Sequence, residues 1–88
     1  MNVVGYLNHA DLLLENEHGV AVVEMGNYVL SLGDRVDLKG MNPDTQKQRV
    51  QIVFANTSSN ECHEDELNLK FEGSKESLKQ YLARTTVH

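Results

Sequence analysis

No lysine or arginine occurs before residue 35. Residues 1–34 carry Asp11, Glu15, Glu17, Glu24 and Asp34, a formal charge of −5. Residues 35–88 hold all eight basic residues against the other eight acids and sum to zero. The net charge of −5 therefore belongs to the first 34 residues of an 88-residue chain. An acidic balance argues against the chain as a whole being drawn to nucleic acid or anionic lipid, which attract positive charge. Cysteine is scarce as well. Cys62 stands alone, which excludes an intrachain disulfide and suits a reducing, cytoplasmic setting. The start shows no signal-like pattern. Long apolar runs are missing: stretches such as Leu12–Leu14 and Val20–Val23 are far too short to span a bilayer.

What is present fits a folded chain. Apolar residues make up 40% and charged residues 24%, a balance that disordered segments do not reach. The length predicts a single domain over residues 1–88 with a limited core. Turn signals come often and the runs between them are short, the pattern of a β-rich domain. Asn16-Glu17-His18-Gly19 reads as a four-residue turn, and Gly26-Asn27 as a two-residue turn. These turns place Glu15 opposite Val20, Leu14 opposite Ala21, Met25 opposite Tyr28 and Val23 opposite Leu30. Alternation then puts Ala10, Leu12, Leu14, Ala21, Val23, Met25, Tyr28, Leu30 and Leu32 on one face, all apolar or aromatic. The other face carries Asp11, Leu13, Glu15, Val20, Val22, Glu24, Val29 and Ser31. A slip of one residue would mix the two faces. A helix over Asn8–Glu17, capped by Asn8 and ended near Gly19, is the competing reading.

Beyond residue 32 the pattern predicts a bend at Gly33 that returns Val36 and Leu38 to the core. A loop over Gly40–Asp44 follows, then a strand over Gln48–Ala55 with Val50, Ile52 and Phe54 inward. Asn56–Asp65 reads as a polar loop, and Glu66–Glu72 as a strand with Leu67, Leu69 and Phe71 inward. Ser74 caps a helix whose Leu78, Tyr81 and Leu82 form a narrow apolar stripe, suited to cover an open end or an edge of the sheet. The expected fold class is α+β, mainly β. It is a small curled antiparallel sheet or barrel of about five to seven strands with one C-terminal amphipathic helix, roughly residues 74–84.

Four groups of residues could carry function. Cys62 and His63 sit among Glu61, Glu64, Asp65 and Glu66. Adjacent ligands point apart on an extended chain, and a zinc cage would have to recruit His9 or His18 from elsewhere. A Cys62–His63 nucleophile and base would need a third, orienting group. Asp11 and Glu24 lie opposite each other in the predicted register, where like charges repel and can raise one pKa. Arg35, Lys39, Lys47 and Arg49 could line a nucleic-acid groove, but Asp34, Asp37 and Asp44 dilute them, and the aromatics other than Tyr6 fall on core positions.

The fourth group is the acidic face of the meander. Leu13, Val20, Val22 and Val29 occupy its middle, and Asp11, Glu15 and Glu24 surround them. An apolar centre with a charged rim is the composition of a protein-binding patch. The leading expectation is a non-enzymatic, cofactor-free cytoplasmic domain that binds a basic protein partner through this face. Antitoxins, immunity proteins and phage-borne blockers are inhibitors of this general kind. The chain is expected to be a monomer or weak dimer, because a tight homodimer on this face would bring −5 against −5. The alternatives are a nucleic-acid-binding barrel using Arg35, Lys39, Lys47 and Arg49, and a metal- or thiol-dependent activity at Cys62 and His63.

Overall fold

The computed structural model describes residues 1–7, 10–26, 28–55 and 62–86. Seven strands precede one helix: β1 Asn2–Leu7, β2 Asp11–Asn16, β3 Gly19–Glu24, β4 Arg35–Met41, β5 Gln48–Val53, β6 Cys62–Leu67, β7 Leu69–Gly73 and α1 Lys75–Thr86. The strands form one antiparallel sheet in the order β6-β5-β4-β1-β2-β3-β7. The fold is therefore α+β and mainly β, with its helix at the C-terminal end. No helix among the described residues is long and apolar enough to cross a membrane.

The ends of the sheet, β6 and β7, are separated in sequence by Asn68 alone. The sheet has to curl until its first and last strands meet. Asn68 also ties the seam: its carbonyl accepts the Glu24 N–H at 2.9 Å, and its Nδ2 donates to Glu24 Oε2 at 2.9 Å. The interior holds Val3, Leu12, Leu14, Ala21, Val23, Leu30, Val36, Val50, Ile52 and Leu67, all nearly or fully buried. Phe54, Leu69, Met25, Tyr28 and Leu38 pack partly against them.

The first hairpin has the expected register, with Leu14 opposite Ala21, Glu15 opposite Val20 and Asp11 opposite Glu24. The Asn16 side chain shapes its turn by accepting the N–H groups of His18 and Gly19 at 2.8 and 2.9 Å. A side chain at Gly19 would bring its Cβ within 2.6 Å of the Gly73 carbonyl oxygen, so the close approach of β7 requires glycine here. Residues 11–16 are strand, so the helical alternative for this stretch does not hold.

Four expectations need correction. Residues 28–34 form no strand, and β3 gives its second edge to β7 rather than to a second local hairpin. Leu30 still reaches the core, but from an irregular segment (Asn27 of the expected turn lies outside the described residues). Glu66–Glu72 is two strands rather than one, because the chain must change partners from β5 to β3 at Asn68. Cys62–Asp65 belongs to β6 rather than to a loop, and residues 56–61 lie outside the described residues. A bulge in the β3–β7 ladder sets Phe71 opposite Val22 while Leu69 stands opposite Val23, which turns Phe71 to the outer surface.

Helix α1 sits there too. It covers the sheet at its β7 edge, as expected, lying on the outer face against β7 and the neighbouring β3. Tyr81 stacks on Phe71 with ring centroids 5.0 Å apart. Lys75 reaches Glu15 at 2.9 Å. Ser74 caps the helix as expected, its Oγ accepting the Ser77 N–H at 3.1 Å. The bend at Gly33 is also present, with φ at 94°.

Candidate functional site

The residues of the acidic meander face have different surroundings. Val20 and Val22 are 2% and 0% exposed, on the strand that α1 packs against. Leu13, Glu15 and Glu24 are half-buried and Asp11 is buried. Val29 stands apart at 87% exposure on the irregular segment. The four apolar residues therefore do not form one open patch. The physical reason is the pairing of β3 with β7, which builds a larger outer face and brings the helix down onto it.

The acids of this face are not bare either. Asp11 places both carboxylate oxygens 3.2 Å from Lys70 Nζ, and Glu24 approaches the same ammonium at 3.5 Å. The Asn68 hydrogen bond, helped by Lys70, holds the Glu24 carboxyl below the ordinary range. Lys70 is pushed above the usual lysine value, chiefly by its hydrogen bond to Asp11. The opposed carboxylates are thus an ion-pair network with a shared cation, which removes the repulsion expected between them. Glu15 pairs with Lys75. Asp37 binds both Arg35, at 3.0 Å, and the N-terminal ammonium, at 2.9 Å, and its carboxyl is lowered chiefly by Arg35. Lysines from the last 20 residues thus neutralise acids from the first 34. The signal was present in sequence only as an outward lysine on a late strand, with nothing to say that the strand lies beside Asp11 and Glu24.

The most built piece of surface is the segment Tyr28–Asp34. Its anchor is Asp34, 3% exposed, whose two oxygens accept the N–H groups of Ser31 and Ala55 at 2.8 Å each. The Gly33 N–H donates to the Val3 carbonyl at 3.1 Å, and the Tyr6 hydroxyl donates to the Leu30 carbonyl. At the near end the Tyr28 hydroxyl donates to Asp65 Oδ2 at 2.5 Å. That bond lowers the Asp65 carboxyl and raises the Tyr28 phenol. Leu30 is driven into the core, while Val29 and Leu32 remain 87% and 63% exposed. Tyr6 and Val4 of β1 are also partly exposed, at 44% and 45%. Val29, Tyr28, Met25, Gly26, Ala10 and Glu24 line a shallow hollow of about 550 Å³. Of the seven residues expected at a partner site, the structure brings Glu24 and Val29 together here. The segment is hidden in the sequence because its apolar alternation reads as a regular strand; Asp34 beside Gly33 is the available hint.

The other candidates are placed as follows. Arg35 is committed to Asp37, Arg49 stands opposite Glu66 in the β5–β6 ladder, and Lys47 lies close enough to Asp65 and Glu66 to lower their carboxyls slightly. The basic residues are interleaved with acids instead of lining one groove. Cys62 and His63 are exposed neighbours on β6, and His63 meets the Phe54 ring edge-on at 5.5 Å. Among the described residues no three histidine, cysteine or acidic side chains gather as a metal site would need. His9 lies outside the described residues. No protein family, curated protein or solved structure matches this chain.

Proposed function

We propose that this chain is a non-enzymatic protein-binding domain that engages a basic partner through the Tyr28–Asp34 segment and the acids beside it. An inhibitor of the antitoxin, immunity-protein or phage-borne type is the role that suits its size and charge. One observation carries the reading. A buried carboxylate and a set of backbone bonds hold an irregular segment in shape, and that segment presents Val29 and Leu32 to solvent. A loop already ordered loses little entropy when it binds. Covering each of these aliphatics is worth on the order of 1–2 kcal/mol, given their partial exposure. Asp65, held in the ionised form, and the Asp11–Glu24–Lys70 cluster, which keeps one net negative charge, supply the charge that steers a basic partner and fixes its register.

The test starts from affinity capture in the native cell with the wild-type chain and with Val29→Asp. The captured partner, once purified, is then measured by stopped-flow association. Leu32→Ala and Val29→Ala should mainly speed dissociation, because they remove contact area. Charge reversal of Asp65 and Glu24 to Lys should slow association and flatten its salt dependence. Glu72→Lys is the control on another strand and should matter little. Capture of DNA or RNA, or undiminished binding by both Val29→Asp and Leu32→Asp, would sink the proposal.

A further inference from the structure

The outer face of β2, β3 and β7 is covered by an unequal partner. Val20 and Val22 beneath are almost completely buried. Over residues 75–84, no helix residue is: Leu78, Tyr81 and Leu82 are only half-buried, and the rest are exposed. A helix of 12 residues is marginal in water without its packing partner, so undocking and unwinding are one event. The ion pair that helps seat it, Lys75–Glu15, leaves the lysine side chain 68% exposed and is correspondingly weak.

Charge completes the picture. Lys75, Lys79 and Arg84 against Glu76 give the helix +2, which leaves −7 on residues 1–74. Helix α1 is a small basic lid on an acidic body. We infer that this face is a binding surface for a basic amphipathic helix of a partner protein, and that α1 is its built-in, exchangeable occupant. The contacts of α1 specify what a better occupant must carry. A lysine meets Glu15, an aromatic ring six residues later stacks on Phe71, and an aliphatic side chain stands midway, as Lys75, Tyr81 and Leu78 do on one helix face. A partner helix that is longer or better formed would displace α1 while keeping the same chemistry. The face is distinct from the Tyr28–Asp34 segment, and only the basic character of the partner is shared with the function proposed above.

The probe is a fluorescent synthetic peptide of residues 74–86, read by anisotropy against the full-length chain. Wild type, whose face is occupied, should bind it weakly. Lys75→Glu with Tyr81→Ala loosens the chain's own helix, and this variant should bind the peptide at least tenfold tighter. Adding Glu15→Lys to that receptor should weaken binding, and a peptide with Lys75→Glu should recover it. A folded double variant that binds no better than wild type overturns the inference. Should the double variant not fold, isotope-labelled wild type titrated with excess peptide gives the answer. Signals of residues 75–86 moving to free-peptide positions support exchange, and unmoved signals overturn it. A concentration-dependent dimer that the peptide competes away would assign the face to a second copy and overturn the foreign partner. Val29→Asp should leave peptide binding unchanged, which separates failure of this inference from failure of the proposed function.

Discussion

Removing the Asp34 carboxylate is the most informative single perturbation. The residue is 3% exposed and makes two bonds of 2.8 Å to backbone N–H groups, one inside its own segment at Ser31 and one across to Ala55 after β5. Bonds to a charged acceptor are worth roughly 1.5–3 kcal/mol each, and a donor left unpaired in a buried place costs about as much. Asp34→Ala forfeits both and should destabilise the chain by about 3–5 kcal/mol. Asp34→Asn keeps an oxygen for one N–H but turns an amide NH₂ toward the other, so its cost should be about 1–3 kcal/mol. For a domain of this size 1 kcal/mol corresponds to roughly 4–8 °C in Tm. Urea unfolding gives the energies, and an unchanged slope with denaturant certifies that the unfolded state is the same. Hydrogen exchange adds the local readout: the Ser31 and Ala55 amides should lose protection well before those of the β2–β3 hairpin. A cost below about 1 kcal/mol for Asp34→Ala would refute the view that this carboxylate shapes the segment.

Three further outcomes are expected. Ile52→Ala, at a fully buried core site, should cost about 2–5 kcal/mol by the same unfolding assay, and a loss typical of a surface site would contradict its placement. Lys70→Met leaves the buried Asp11 without its countercharge; since water reaches Lys70, the cost is discounted to about 1–3 kcal/mol, and Asp11→Asn in that background should recover much of it. Stability should be level between about pH 5 and pH 9 and fall on both sides, because Asp65, Asp37 and Glu24 are lowered while Tyr28 and Lys70 are raised. The lowered carboxyls contribute above their unfolded values and lose that contribution as pH drops through their folded ones. Tyr28 and Lys70 contribute below their unfolded values and lose it as pH climbs through their folded ones. Tyr28→Phe should therefore soften the alkaline fall and, by freeing Asp65, part of the acid fall; an alkaline limb unchanged in Tyr28→Phe would remove the Tyr28–Asp65 bond from the account.

Local information carried the β2–β3 hairpin. Its turn chemistry at Asn16–Gly19 and its alternating side chains agree with each other, and neither depends on distant residues. The return of Val36 to the core, the strand β5 and the helix cap at Ser74 were legible for the same reason, whereas Gly40 and Met41, expected in a loop, belong to β4. What the pattern could not supply is which strand becomes the neighbour of β3. Leu69 and Phe71 lie more than 40 residues from Val23 and Val22, and two apolar alternations, at residues 28–32 and 69–71, competed for one edge. A local hairpin was the shorter solution. The distant strand takes the edge, which frees residues 28–34 to become a shaped segment with Leu30 inside and Val29 outside. The extra residue in the β7 ladder then turns Phe71 outward and creates the platform for Tyr81. One pairing choice thus accounts for the strand that does not form at residues 28–32, the outward turn of Phe71 and the buried patch together.

The same choice changes the meaning of the charge pattern. In sequence, five acids stand without a base in the first 34 residues. In space, Lys70 serves Asp11 and Glu24, Lys75 serves Glu15, and Asp34 is spent on backbone amides. Glu17 stays in solvent, beside His18 at 3.5 Å. An acidic stretch that folds against two late lysines makes a weaker field while those lysines stay in place. Lys70 is fixed in a strand, but Lys75 belongs to the loosely seated helix. The acidity of this region is therefore conditional on α1. A free chain should steer a basic partner weakly toward the β2–β3 face, and a chain with its helix displaced should steer it strongly. Association with the peptide of residues 74–86 should accordingly be more salt-sensitive in the Lys75→Glu, Tyr81→Ala variant than in wild type, and equal salt sensitivity would mean that the helix does not gate the field.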